Sequence, residues 1–83
     1  MFANKNLKAR KGDLIVCQNG HRVGHFFRDV LQDRKIEADD LEFDAELTRP
    51  AHGYQCLTCG EPVATFSEKD RTFSVYRASG WLS

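Results

Sequence analysis

The sequence predicts a small, mainly β domain of antiparallel hairpins, α+β at most. Three observations lead there. The 83 residues suffice for one domain but leave a thin core, and chains of this size commonly need a staple. Two five-residue stretches, Cys17-Gln18-Asn19-Gly20-His21 and Cys56-Leu57-Thr58-Cys59-Gly60, set metal-ligating side chains around glycine-containing turns and use every cysteine in the chain. Short β-branched or alternating apolar runs lie beside both stretches, as strands leading into and out of tight turns would.

Together the two turns offer three thiolates and one imidazole, a closed donor set for a structural zinc ion held tetrahedrally. Side chains separated by two or three residues can face one ion only if the backbone turns sharply between them. Gly20 and Gly60 reach positive φ at little cost, which lets nearby N–H groups point toward the sulfurs. In these two knuckles the chain resembles the zinc-ribbon superfamily, whose sites are built from two knuckles on separate β-hairpins. The resemblance covers the knuckles and the strands beside them, well under half of the chain. Cys56-x-x-Cys59-Gly60 fits the usual knuckle closely, whereas Cys17-x-x-x-His21 has an extra spacer residue and a histidine in place of the second cysteine. The expected ligands are Cys17, His21, Cys56 and Cys59, with His25 and His52 as alternatives to His21.

Other chemistries fit these residues poorly. A redox dithiol of the thioredoxin kind needs a βαβ context, and here Gly60-Glu61-Pro62 and a β-rich run follow the Cys56/Cys59 pair. A zinc deaminase needs His-x-Glu, but the residues two beyond His21, His25 and His52 are Val23, Phe27 and Tyr54. Four protein ligands leave no coordination position for water, so the expected zinc is structural and the protein is not expected to be an enzyme. Twelve Lys and Arg balance twelve Asp and Glu, with a pI near 6.8, which argues against a domain built mainly to grip phosphate backbones. A hydrophobic content of 41% with six Phe, two Tyr and one Trp excludes global disorder. The cysteine count is odd, no secretory signal follows the basic start, and no apolar run is long enough to cross a bilayer, so a reducing, cytoplasmic location is expected.

Taken in order, residues 1–11 are polar and basic (Lys5, Lys8, Arg10, Lys11) and are expected to form a flexible arm ahead of a single domain over 12–83. Leu14-Ile15-Val16 reads as a strand running into Cys17. A returning strand over Arg22–Arg28 would place Val23, His25 and Phe27 on one face. Phe26, Phe27, Val30 and Leu31 also fit helical spacing, which leaves a helical turn over Asp29–Asp33 as the alternative. An insert at about 32–53 separates the knuckles. It is acidic (Glu37, Asp39, Asp40, Glu42, Asp44, Glu46), and Ile36, Leu41 and Phe43 could anchor a short helix over Ala38–Phe43 before a loop over Thr48–Gly53. Strands over Tyr54–Cys56 and Pro62–Ser67 flank the second knuckle, and Glu68–Arg71 forms a charged turn. Thr72–Ala78 alternates with Phe73 and Val75 on one face, and Ala78-Ser79-Gly80 breaks the strand before Trp81 and Leu82. Phe27, Phe66, Phe73 and Trp81 are expected inside.

Zinc ribbons dock on proteins or bind nucleic acid, and the resemblance implies one of these roles. Neutral net charge, with a basic arm separate from an acidic insert, favours a protein partner met through Glu37, Asp39, Asp40 and Glu42. The alternative is a transcription- or replication-associated ribbon that contacts nucleic acid through Lys8, Arg10, Lys11, Arg22 and Arg28, with Phe26, Phe27, Tyr54 and Trp81 as stacking surfaces. Neither a membrane nor a small-molecule substrate is expected.

Overall fold

Short antiparallel strands make up most of the computed structural model, which describes residues 6–50 and 53–82. They are β1 (Leu7–Ala9), β2 (Leu14–Val16), β3 (Arg22–Phe26), β4 (Val30–Leu31), β5 (Leu41–Phe43), β6 (Thr48–Pro50), β7 (Tyr54–Cys56), β8 (Pro62–Ser67), β9 (Thr72–Arg77) and β10 (Gly80–Leu82). β2, β3 and β5 form one sheet in that order, β6 to β10 form a five-stranded meander, and β1 pairs with β4. The fold is a small, mainly β domain. Among the described residues no helix is long and apolar enough to cross a membrane.

The second half of the chain follows its pattern. β8 and β9 pair from Ala64↔Val75 to Ser67↔Thr72, and the charged turn between them closes with the Arg71 N–H donating to the Ser67 carbonyl at 2.7 Å. Phe73 and Val75 point into the core, joining Ile15, Val23, Phe26, Val30, Ile36 and Val63. The two larger sheets are held together by several contacts. Phe43 of β5 stacks on Tyr54 of β7 at 4.1 Å between ring centroids, Arg77 pairs with Asp13 at 2.8 Å, and the Phe73 N–H donates to the Ile36 carbonyl at 2.8 Å.

The first half departs from its pattern, and each departure has a local cause. β3 ends at Phe26 rather than Arg28. Its register against β2 slips between Ile15↔Gly24 and Val16↔Arg22, which leaves Val23 as an extra, bulged residue. A bulge of one residue moves everything beyond it to the opposite face. Val23 and Phe26 are therefore both fully buried, His25 is half-buried, and Phe27 lies 59% exposed instead of in the core. Gly24 is required beside the bulge because a Cβ there would lie 2.5 Å from the Glu42 carbonyl oxygen on β5. No helical turn forms over Asp29–Asp33. Val30–Leu31 is a strand, and its partner β1 draws Leu7–Ala9 out of the expected arm and buries Ala9. Residues 1–5 lie outside the described residues. Trp81 is 48% exposed because β10 is an edge strand, and its indole packs edge-on against Tyr76 at 5.3 Å.

The acidic insert contains no helix over Ala38–Phe43. Ala38–Asp40 forms a single 3₁₀ turn, and the backbone then extends at Leu41 (φ −144°) into β5, which pairs with β3. Thr48–Pro50, expected as loop, is the outer strand of the meander, where a proline interrupts no ladder. Asp40 holds the corner together. Its side chain is fully buried and accepts bonds from Arg28 Nε at 2.6 Å, from Arg34 at 3.1 Å and from the Glu37 N–H at 2.8 Å. Burial alone would raise its pKa, but the Glu37 N–H and the two guanidinium groups outweigh that and hold the carboxyl below its usual value. Asp40 therefore does not belong to the exposed acidic surface in which Glu37, Asp39 and Glu42 take part.

Breaking a buried ion pair by removing one partner costs about 3–5 kcal/mol, somewhat less where the remaining partners can rehydrate, as the half-exposed Arg28 and Arg34 can. Urea denaturation of the metal-loaded protein is expected to show Asp40→Asn losing roughly 2–4 kcal/mol. Asp39→Asn, one residue away and exposed, is expected to change stability by less than about 0.5 kcal/mol. Equal effects would contradict the inward placement of Asp40.

Candidate metal centre

β2 delivers Cys17 to the first knuckle with its thiol fully buried. The chain reverses through two backbone bonds, Cys17 N–H to the His21 carbonyl and Gly20 N–H to the Cys17 carbonyl, both 2.9 Å. Gly20 takes φ +87°, the left-handed conformation the reversal needs. The turn aims the N–H groups of Asn19 and His21 at the Cys17 sulfur, each at 3.3 Å. The second knuckle repeats this logic at the end of β7. The Cys56 N–H donates to the Glu61 carbonyl at 2.9 Å, the Gly60 N–H to the Cys56 carbonyl at 2.8 Å, and Gly60 takes φ +79°. Cys56 is 2% exposed and Cys59 half-buried.

The two turns meet face to face. His21 Nδ1 lies 3.2 Å from Cys17 Sγ and 3.8 Å from Cys56 Sγ, and Cys59 Sγ lies 3.6 Å from Cys17 Sγ. All four donor atoms lie within 4.8 Å of one another, so the cluster is close enough to hold a metal ion. A tetrahedral ion with metal–sulfur bonds of about 2.3 Å has donor–donor edges of about 3.8 Å. The separations of 3.2, 3.6 and 3.8 Å lie at or somewhat below that edge.

The thiols differ electrostatically. Cys59 is pulled down to about 6, first by the N–H of Glu61 and then, against partial burial, by the side chains of Asn19 and His21. Burial pushes Cys17 up, although the amides of His21 and Asn19 act in the other direction. Negative charge in the cluster thus has ready donors at both knuckles, and a cation among the sulfurs would supply the remaining stabilisation. Asn19 was not singled out by spacing, because its contribution comes through a backbone N–H aimed at the Cys17 sulfur.

The other expected site residues fall elsewhere. His25 faces Glu42 at 3.6 Å and the Phe27 ring at 6.4 Å, away from the sulfurs. His52 lies outside the described residues. Of the acidic group, Glu37, Asp39 and Glu42 are exposed, while Asp40 is spent on the fold. Of the basic group, Arg10, Lys11 and Arg22 are exposed, whereas the Lys8 amine donates to the Arg34 carbonyl and Arg28 pairs with Asp40. No protein-family model, characterised protein or solved structure matches this chain.

Metal retention against a competing chelator is expected to fall more than about 100-fold in His21→Ala, because a ligand is lost. His25→Ala should leave it unchanged. Loss in His25→Ala equal to that in His21→Ala would reassign the fourth ligand.

Proposed function

We propose that the protein is a non-enzymatic zinc-binding module of the zinc-ribbon kind, in which one structural zinc fixes two β-hairpins so that the surrounding surface docks on a partner protein. The observation that carries this reading is the closed donor set, with Cys17, His21, Cys56 and Cys59 converging from two knuckles on separate sheets. Zinc suits three thiolates and an imidazole better than harder cations, which prefer oxygen. Four protein donors fill a tetrahedral zinc, and that saturation supports a structural role over a catalytic one.

A protein partner is favoured over nucleic acid by the disposition of the charges. Two of the five basic residues that would meet phosphate, Lys8 and Arg28, are engaged within the chain. Three acidic side chains of the insert, Glu37, Asp39 and Glu42, face outward. The net charge of zero adds no long-range attraction for a polyanion.

Elemental analysis of the purified protein is expected to find one zinc per chain. A structural zinc contributes on the order of 10 kcal/mol of apparent binding free energy, comparable to the whole stability of a small domain. Removing it with a strong chelator is therefore expected to abolish the dispersed amide spectrum of the folded state. Thiolates bind metal only when deprotonated, so bound zinc holds its ligands' pKa values low, and the stability it adds is lost as pH falls. Acidification should release zinc and unfold the chain in one transition. A chelated protein that stays folded would contradict the structural role. Tight binding to DNA or RNA at low salt would replace the protein partner with nucleic acid.

A further inference from the structure

A cavity of about 750 Å³ opens where the 3₁₀ turn of the insert meets the meander. Among the described residues its walls combine aromatic rings with carboxylates. Phe73 of β9 lies at the base, with Phe66 of β8 at 4.8 Å and a tilt of 48°, and Tyr54 of β7 at 6.1 Å and a tilt of 41°. Phe66 and Tyr54 are only half-buried, so part of each ring remains accessible to a ligand. Glu37 and Asp39 from the insert and Asp70 from the β8–β9 turn stand around these rings. Arg71 lines the same cavity and Lys35 pairs with Asp70 at 3.0 Å, so the third carboxylate is partly neutralised. No cation among the described residues pairs with Glu37 or Asp39.

Aromatic faces carry negative quadrupole potential and attract a cation lying within about 6 Å of the ring centre. Carboxylates at the rim of a partly desolvated cavity add to that attraction and discriminate against anions and neutral groups. The volume exceeds what one ammonium group needs and suits a side chain together with a short length of the backbone that bears it. We infer that this cavity receives a cationic side chain, arginine or lysine, from a basic segment of the partner protein, held over Phe66 and Tyr54 and paired with Glu37 and Asp39. The inference rests on the protein-partner reading above and supplies the partner's chemistry. It also gives the insert a role. The same short turn that buries Asp40 against Arg28 and Arg34 presents its neighbours Glu37 and Asp39 to the cavity.

The test uses the intact, zinc-loaded protein, isotopically labelled, titrated with a short blocked peptide of alternating arginine and glycine. A matching peptide with citrulline, the neutral isostere of arginine, serves as the control. Saturable amide shifts are expected around Tyr54, Phe66, Phe73 and Asp39, with citrulline weakening binding about tenfold or more. Phe66→Leu, which keeps an apolar side chain but removes the π face, and Asp39→Asn, an exposed change that leaves the fold intact, should each weaken binding several-fold, and added salt should do the same. Equal binding of the citrulline peptide, shifts centred elsewhere, no shifts, or insensitivity to Asp39→Asn would overturn the inference. Zinc content measured on the same sample keeps the two readings apart. A zinc-loaded protein that ignores the arginine peptide refutes this cavity's role and leaves the metal-centred module standing.

Discussion

Four donor atoms within 4.8 Å of one another, drawn from turns separated by some forty residues, are the constraint on which this chain depends. Each knuckle is a local affair, closed by two backbone hydrogen bonds and a glycine at positive φ. Their meeting is not local. It brings the end of β2, in the three-stranded sheet, against the end of β7, in the meander, and so fixes how the two sheets sit together. Closing so long a loop by side-chain packing alone would be difficult for a core whose fully buried side chains are mostly Val and Ile. A metal ion bound by three thiolates and an imidazole, as proposed above, would change that balance, because its binding free energy would become folding free energy.

A second, smaller constraint governs the insert between the knuckles. Asp40 is a buried charge, and it survives there only because two guanidinium groups and a backbone N–H surround it. The arrangement sets the corner between the 3₁₀ turn and β5. β5 in turn presses against β3 at Gly24 and places Phe43 on Tyr54. Metal centre and insert therefore act on the same interface from two sides, and the aromatic cavity lies along its edge, bordered by Tyr54 and Phe73.

The parts legible in the sequence were those whose signal is local. The knuckle at Cys56 and the strands Tyr54–Cys56 and Pro62–Ser67 occupy the residues that spacing and alternation indicate, and Thr72–Arg77 does so to within one residue. The convergence of Cys17, His21, Cys56 and Cys59 was legible too, because knuckle geometry leaves few ways to place Cys17 and His21 beside the other pair. What stayed hidden depends on partners distant in sequence. A strand at Leu7–Ala9 exists only because Val30–Leu31 pairs with it, and nothing in a basic, aperiodic segment announces that. The bulge at Val23 inverts the faces of β3, so Phe26 replaces Phe27 in the core without any change in the residue pattern. Asp39 and Asp40 look alike in sequence, yet one faces solvent and the other is fully buried. Hydrophobicity argued for burying Trp81, but an edge strand offers only one side to pack against.

X-ray absorption at the zinc edge of the purified protein tests the metal-centred reading most directly, since it reports the ion's own neighbours. Three sulfur scatterers at about 2.3 Å and one nitrogen at about 2.0 Å, with an imidazole signature, are predicted. Oxygen in the first coordination sphere, or fewer than three sulfurs, would contradict a closed structural site built from Cys17, His21, Cys56 and Cys59.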